Sequence, residues 1–278
     1  MRAWNLLYVP LVCYVLAVSV LPLLFLILTA FTENDMSGAI SWDFTLANFG
    51  ELFYDRFYIE RMFYTIGLVM MVTLITLVIA VPVTLAIAQL GYFWRTVWLV
   101  GLFSSLALSE VLTVYAWQLM LAQSSGIPGW LQALGLIEVT ESWWPSFPAM
   151  TVVLVYFTSP VAVIVLFSPI SRLDPSLAES ARTMGYGPAT IFLRIILPAI
   201  QEPLVRTGLL CFMLNIGSFV ISQQMGRPSD WMISVFIADF MSSFSIPLAG
   251  SMALMLLASV LVCLGAIFFM VRPKAVAA

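Results

Sequence analysis

Apolar residues dominate the chain in long stretches broken by short charged ones. Uncharged runs occupy 3–32, 62–94, 96–109, 111–137, 142–171, 207–226 and 240–271. A bilayer core about 30 Å thick takes roughly 20 apolar residues as a helix. The third and fourth runs are divided only by Glu110 and merge into one. The pattern predicts six spanning helices, at about 8–31, 63–89, 97–121, 149–170, 204–225 and 249–271. A closed β-barrel would show ten-residue segments of alternating polarity, and Leu99 to Leu108 does not alternate. The first span is too long for a signal-peptide core, and no convincing small-x-small cleavage site precedes Glu33, so it reads as a helix. The expected fold is an all-α polytopic membrane protein. It divides into a first helix with its external loop (1–62) and a core of five helices (63–278).

Composition narrows the function. Of 278 residues, 62% are hydrophobic and 9% charged, against about 25% charge in a soluble domain. The net charge is −3, which argues against a nucleic-acid partner. There is no histidine, which removes His-based metal sites and Ser-His-Asp triads. Cys13, Cys211 and Cys263 lie far apart in apolar runs and read as small buried hydrophobes. No metal site and no catalytic residue is expected, and membrane lipid is an obligatory neighbour.

Lysine and arginine set the orientation. Arg2, Arg95, Arg172, Arg182, Arg194, Arg206, Arg272 and Lys274 fall on one side of the six spans. Arg56, Arg61 and Arg227 fall on the other. Eight of eleven cations on one side predict cytoplasmic termini and a cytoplasmic 171–203 loop.

That loop carries helix signals of its own. Asp174 suits an N-cap, Pro175 the first helical position and Gly185 the residue past the end, predicting a helix over 175–184. Gly187-Pro188 then opens a second helix, Ala189 to Leu197, and Pro198 and Pro203 bend the chain into the fifth span. Leu177, Ala178, Ala181 and Met184 form an apolar stripe at helical spacing, a surface suited to docking in a partner's groove.

Four other residues stand out. Glu110 falls near the middle of the third span, where a carboxylate costs about 3 kcal/mol. It reads equally as a pathway group attracting cations or as a hydrogen-bonded structural carboxyl. Asn215 in the fifth span reads as a pathway residue or an interhelical hydrogen bond. Tyr115 and Trp117 read as packing or belt aromatics, or as part of a pathway. Asp230 to Phe244 is too short and charged to span and reads as an interfacial or re-entrant helix.

The 179–198 segment resembles a known family. Glu179-Ser180-Ala181, three residues, Gly185, nine residues, then Ile195-Ile196-Leu197-Pro198 is similar to the "EAA" loop of membrane subunits of binding-protein-dependent ABC importers. Glu179, Ala181, Gly185, Ile195, Leu197 and Pro198 match, while Ser180 replaces the usual alanine. The resemblance implies a type I importer fold in a bacterial inner membrane, with this loop entering a cleft on a cytoplasmic ATPase dimer. It also implies a second related permease subunit and an extracytoplasmic solute-binding protein. No G-x-x-x-x-G-K-[ST] occurs here, so ATP and Mg would be held by the ATPase. This chain is then expected to be neither an enzyme nor a cofactor carrier. Tyr115-Ala116-Trp117, Gly126, Leu134-Gly135-Leu136-Ile137, Gly226-Arg227-Pro228 and Ile246-Pro247-Leu248-Ala249-Gly250 are similar to the spermidine/putrescine branch. That branch often carries an arginine where Leu112-Thr113-Val114 stands. Opines, phosphonates and ferric iron, carried by sister branches, remain alternatives, as does an ATP-independent transporter using Glu110 as a relay. A membrane enzyme is remote.

Overall fold

The computed structural model describes residues 2–34, 40–124, 126–138, 141–243 and 245–270. Arg272 and Lys274, which enter the charge asymmetry, and Phe244 lie outside them. In chain order, α1 (Arg2–Ala30) leads to a hairpin of β1 (Thr32–Asn34) and β2 (Ile40–Phe44). Then come α2 (Ala47–Tyr54), α3 (Arg56–Gln89), α4 (Tyr92–Leu106), α5 (Glu110–Leu121), α6 (Ile127–Ala133) and α7 (Phe147–Ser171). The next segment holds α8 (Pro175–Thr183), α9 (Pro188–Ile191), a π-helical turn (Phe192–Ile196) and α10 (Leu197–Ala199). The chain closes with α11 (Gln201–Ile216), α12 (Val220–Met225), α13 (Ile233–Ser242) and α14 (Ile246–Met270).

Three helices are long and apolar enough to cross a membrane unbroken: Arg56–Gln89, Phe147–Ser171 and Ile246–Gly265. Two more candidates are bent pairs, Tyr92–Leu106 with Glu110–Leu121 at 101° and Pro188–Ala199 with Gln201–Ile216 at 74°. Two expected spans are therefore corrected. The stretch 97–121 is not one helix: α4 ends at Leu106 and α5 starts at Glu110. Ser104 and Ser105 turn their hydroxyls back onto the carbonyls of Val100 and Leu102. The Ala107 and Leu108 N–H groups close short three-residue turns onto Ser104 and Ser105, which favours a helix end. Nor is 204–225 one helix, because α11 stops at Ile216 with Gly217 as its C-cap. The Ser218 N–H returns to the Asn215 carbonyl, and α12 begins at Val220. In the stretch after Asp230, expected to be an interfacial or re-entrant helix, a helix is present as α13. The all-α expectation also missed the small hairpin, whose strands pair antiparallel.

The chain forms two compact units, Met1–Phe63 with Ile233–Ala266, and a second built on Tyr64–Met232. In the first, the buried Asn48 amide donates to the Ala30 carbonyl (3.2 Å) and the Thr32 carbonyl (2.7 Å), fixing α2 to the end of α1. Phe57 meets Phe236 edge-on, with ring centroids 5.2 Å apart.

In the second unit α3, α7 and α11 share a core of Ala80, Val81, Ala162, Val163, Leu166 and Cys211. Cys211 is fully buried and unbonded, as a small hydrophobe should be. Hydroxyls stitch the same helices: Thr76 Oγ1 lies 3.2 Å from Thr158 Oγ1, and the Asn215 amide donates to Thr158 Oγ1 (3.4 Å) and the Cys211 carbonyl (3.0 Å). Gly126 is required sterically, since a Cβ there would stand 2.3 Å from the Met120 carbonyl oxygen.

Candidate functional site

The 171–203 segment is built from its caps inward. The Asp174 carboxylate accepts from the Ser176 N–H at 2.9 Å, satisfying one of the free donors at the start of α8. That bond holds the exposed Asp174 carboxyl below its ordinary range. At the other end Gly185 has φ +83°. Its N–H donates to the Arg182 carbonyl (3.0 Å) and the Tyr186 N–H to the Ala181 carbonyl (3.1 Å), the paired bonds of a Schellman motif. The sequence signals for both ends of this helix are realised within a residue.

The helix that follows differs from the expected Ala189–Leu197. It starts at Pro188 and passes through a π turn over Phe192–Ile196. It ends at Ala199, before the 74° bend into α11. Pro198 lacks an N–H and its ring crowds the carbonyl one turn back, so a widened turn just before it relieves both constraints.

The apolar stripe on α8 is divided by this fold. Ala181 is fully buried and Ala178 half-buried, whereas Leu177 and Met184 are exposed. The docking surface expected from all four residues therefore reduces to Leu177 and Met184, because α9 and the π turn pack back on α8 and take up Ala181. Glu179, Ser180 and Pro198 are exposed, and Ile195 and Leu197 are half-buried. Beneath α8 lies a cleft of about 330 Å³ whose lining includes Leu85, Ile170, Leu177, Glu179, Arg182 and Ile196.

The second feature is where the two interrupted helices meet. Glu110 is not in mid-helix; it is the first residue of α5, where a negative charge suits the helix dipole. Its Oε1 accepts from the Ser218 hydroxyl at 3.0 Å and the Ile221 N–H at 3.4 Å. The Glu110 carboxylate thus serves the starts of both α5 and α12. Further along, the Gln118 amide donates to the Gln224 carbonyl at 3.1 Å, tying the same two helices again. Tyr115 is 56% exposed on α5. Trp117 is half-buried and sits edge-on to Tyr156, with centroids 5.4 Å apart. Asn215 has no exposed surface. Sequence reading missed Ser218 and Thr158 as partners of Glu110 and Asn215. The Gly217-Ser218 pair inside an apolar run was the available signal for the first, and nothing in the sequence pointed to the second.

The family described as "Binding-protein-dependent transport system inner membrane component" matches residues 93–272. The chain belongs to this family. It is a permease of ABC importers, a multi-pass protein of the inner membrane, and this sets aside the ATP-independent transporter and the membrane enzyme. The permease is 28% identical over 246 residues to the spermidine/putrescine transport system permease protein PotB of Escherichia coli (strain K12), covering 85% of this chain and 89% of that one. Its fold is that of a crystallised bacterial ABC transporter involved in import of the acidic polysaccharide alginate. The TM-score is 0.78 at 18% identity, over 99% of this chain and 100% of that chain. A second structure of the alginate transporter is in complex with an alginate pentasaccharide-bound periplasmic protein. The TM-score there is 0.74 at 19% identity, over 98% and 95% of the two chains.

Proposed function

We propose that this permease forms half of the pathway of a polyamine importer and receives the force of ATP binding through α8. The observation that carries the polyamine reading is the likeness to PotB along most of both chains. The alginate transporters share the fold at under 20% identity and carry no substrate argument for this chain. A cytoplasmic ATPase dimer, holding ATP and Mg, docks on Glu179, Ser180, Leu177 and Met184. Gly185, Ala181, Ile195, Leu197 and Pro198 hold that surface in shape. A second related permease completes the pathway, and a solute-binding protein delivers substrate from outside. The exposed face of α5, with Tyr115, faces the pathway, and Glu110 adds a negative charge near its start; Trp117, packed edge-on against Tyr156 of α7, takes the packing role. Asn215 joins α11 to α7. The permease core falls within 63–278, and α1 completes a count of six spans.

The test is reconstitution of the purified complex in liposomes with ATP inside and the binding protein outside. Spermidine accumulates and a neutral oligosaccharide does not; the reverse preference overturns the substrate. Orientation is tested separately. Reporter fusions are expected to place 32–61, 122–148 and 226–248 outside and 171–203 in the cytoplasm. A fusion in 171–203 found outside would remove the docking surface from the ATPase.

A further inference from the structure

We propose that the second unit binds an anionic phospholipid, with an acyl chain in a cleft between α5 and α7 and the phosphate on Arg227. The cleft has a volume of about 540 Å³ and is walled by Trp117, Leu121, Ile127, Trp143 and Val152, with Arg227 among its lining residues. It lies at the start of α7, while α8 follows that helix's end. The 25 residues of α7 separate the two by about 37 Å at 1.5 Å per residue. That is one bilayer, so the cleft opens at the membrane interface opposite α8.

The polar lining offers one free charge. The Ser142 hydroxyl donates to the Trp144 carbonyl (2.7 Å) and the Ser146 hydroxyl to the Trp143 carbonyl (2.6 Å), so both are spent on their own loop. Arg227 differs. Its Nε donates to the Pro145 carbonyl at 3.0 Å, which anchors the guanidinium at the rim. Among the described residues no carboxylate comes within ion-pairing distance of the guanidinium; the nearby Asp230 carboxylate accepts instead from the Arg227 main-chain N–H at 3.3 Å. The terminal nitrogens remain for an outside acceptor, and a guanidinium matches a phosphate with two parallel hydrogen bonds.

A single cation beside an otherwise apolar cleft calls for one molecule carrying both an anion and a long apolar tail. A polyamine is repelled by Arg227, and the mostly aliphatic and aromatic walls offer it no counter-charge, so this site is not part of the substrate path. A phospholipid supplies both parts and is already present at this depth. The inference holds whatever solute the importer carries.

The test uses the assembled importer in nanodiscs containing phosphatidylglycerol with a photoactivatable group in its acyl chain. After irradiation and digestion, label is expected on peptides covering 117–127 and 142–152. Excess unlabelled phosphatidylglycerol competes, and phosphatidylcholine competes poorly. Arg227→Gln lowers labelling of these peptides by roughly tenfold, the size of one lost charge-assisted contact. Val152→Trp fills the cleft, leaves Arg227 in place, and lowers it as well. The exposed residues Val97, Val100 and Phe103 of α4 keep their label in every variant and report an intact complex. Cleft labelling unchanged in Arg227→Gln, cleft peptides unlabelled while α4 is labelled, or cross-links from the cleft to the second permease would each overturn the proposal.

Discussion

Gly185→Trp is expected to abolish uptake and to lower co-purification of the ATPase roughly tenfold, while the permease still inserts and accumulates. Two separable effects combine. Gly185 holds φ +83°, a conformation that costs other L-residues about 1–2 kcal/mol. That is too little to unfold a protein worth about 5–15 kcal/mol. It is enough to unwind the Schellman end of α8 and swing the chain toward Tyr186. A Cβ at this position meets nothing within 4 Å in the chain itself. A large side chain therefore projects outward, and only a partner seated on α8 would feel it. The series separates the effects. Gly185→Asn tolerates the left-handed conformation and keeps most uptake. Gly185→Val, β-branched and compact, strains the turn and loses uptake without a bulky projection. Normal uptake and normal ATPase yield in Gly185→Trp would exclude α8 as the docking element.

Glu110→Ala weakens the complex, and Glu110→Gln separates structure from charge. In the alanine variant the Ser218 hydroxyl and the Ile221 N–H lose the Oε1 they share. A buried N–H left without its acceptor, as at Ile221, costs about 1–3 kcal/mol, and the starts of α5 and α12 lose their shared bond. A lower melting midpoint in detergent and reduced complex yield are expected. Glutamine keeps an acceptor at the same place, so yield recovers toward that of the unaltered protein. Its hydrogen bonds are weaker without the charge, and the negative field that concentrates cations is gone. Spermidine uptake in proteoliposomes is then expected to fall several-fold beyond any loss of complex. Equal uptake per assembled complex would leave Glu110 as a structural bond alone.

These two residues also mark what could be read in advance. The ends of α8 are local: an Asp-Pro start and a glycine finish satisfy backbone groups within a few residues, so sequence places them well. The spans α3, α7 and α14 are bounded by charge or proline and fall close to expectation, though α3 starts seven residues early because Arg56–Met62 is already helical. The breaks at 107–109 and 217–219 lie inside unbroken apolar sequence, where hydropathy carries no boundary. They persist because Glu110 and Ser218, 108 residues apart, satisfy each other's polar groups. Glu110 looked like an isolated charge at bilayer depth for the same reason: its partners are distant in sequence. Ala181 was misplaced on an exposed stripe because spacing shows which residues share a face, not that α9 folds back to cover part of it.

The double tie between α5 and α12 has a mechanical consequence. A pair of rods clamped near both ends resists shear along their length, so α5 and α12 translate and tilt as one splint. In the coupling proposed above, motion entering from α8 would reach them through α11, and the stiff pair would pass it on rather than absorb it. The displacement would then fall on 107–109, the joint before α5, because the 217–219 joint is itself tied through Ser218 to Glu110.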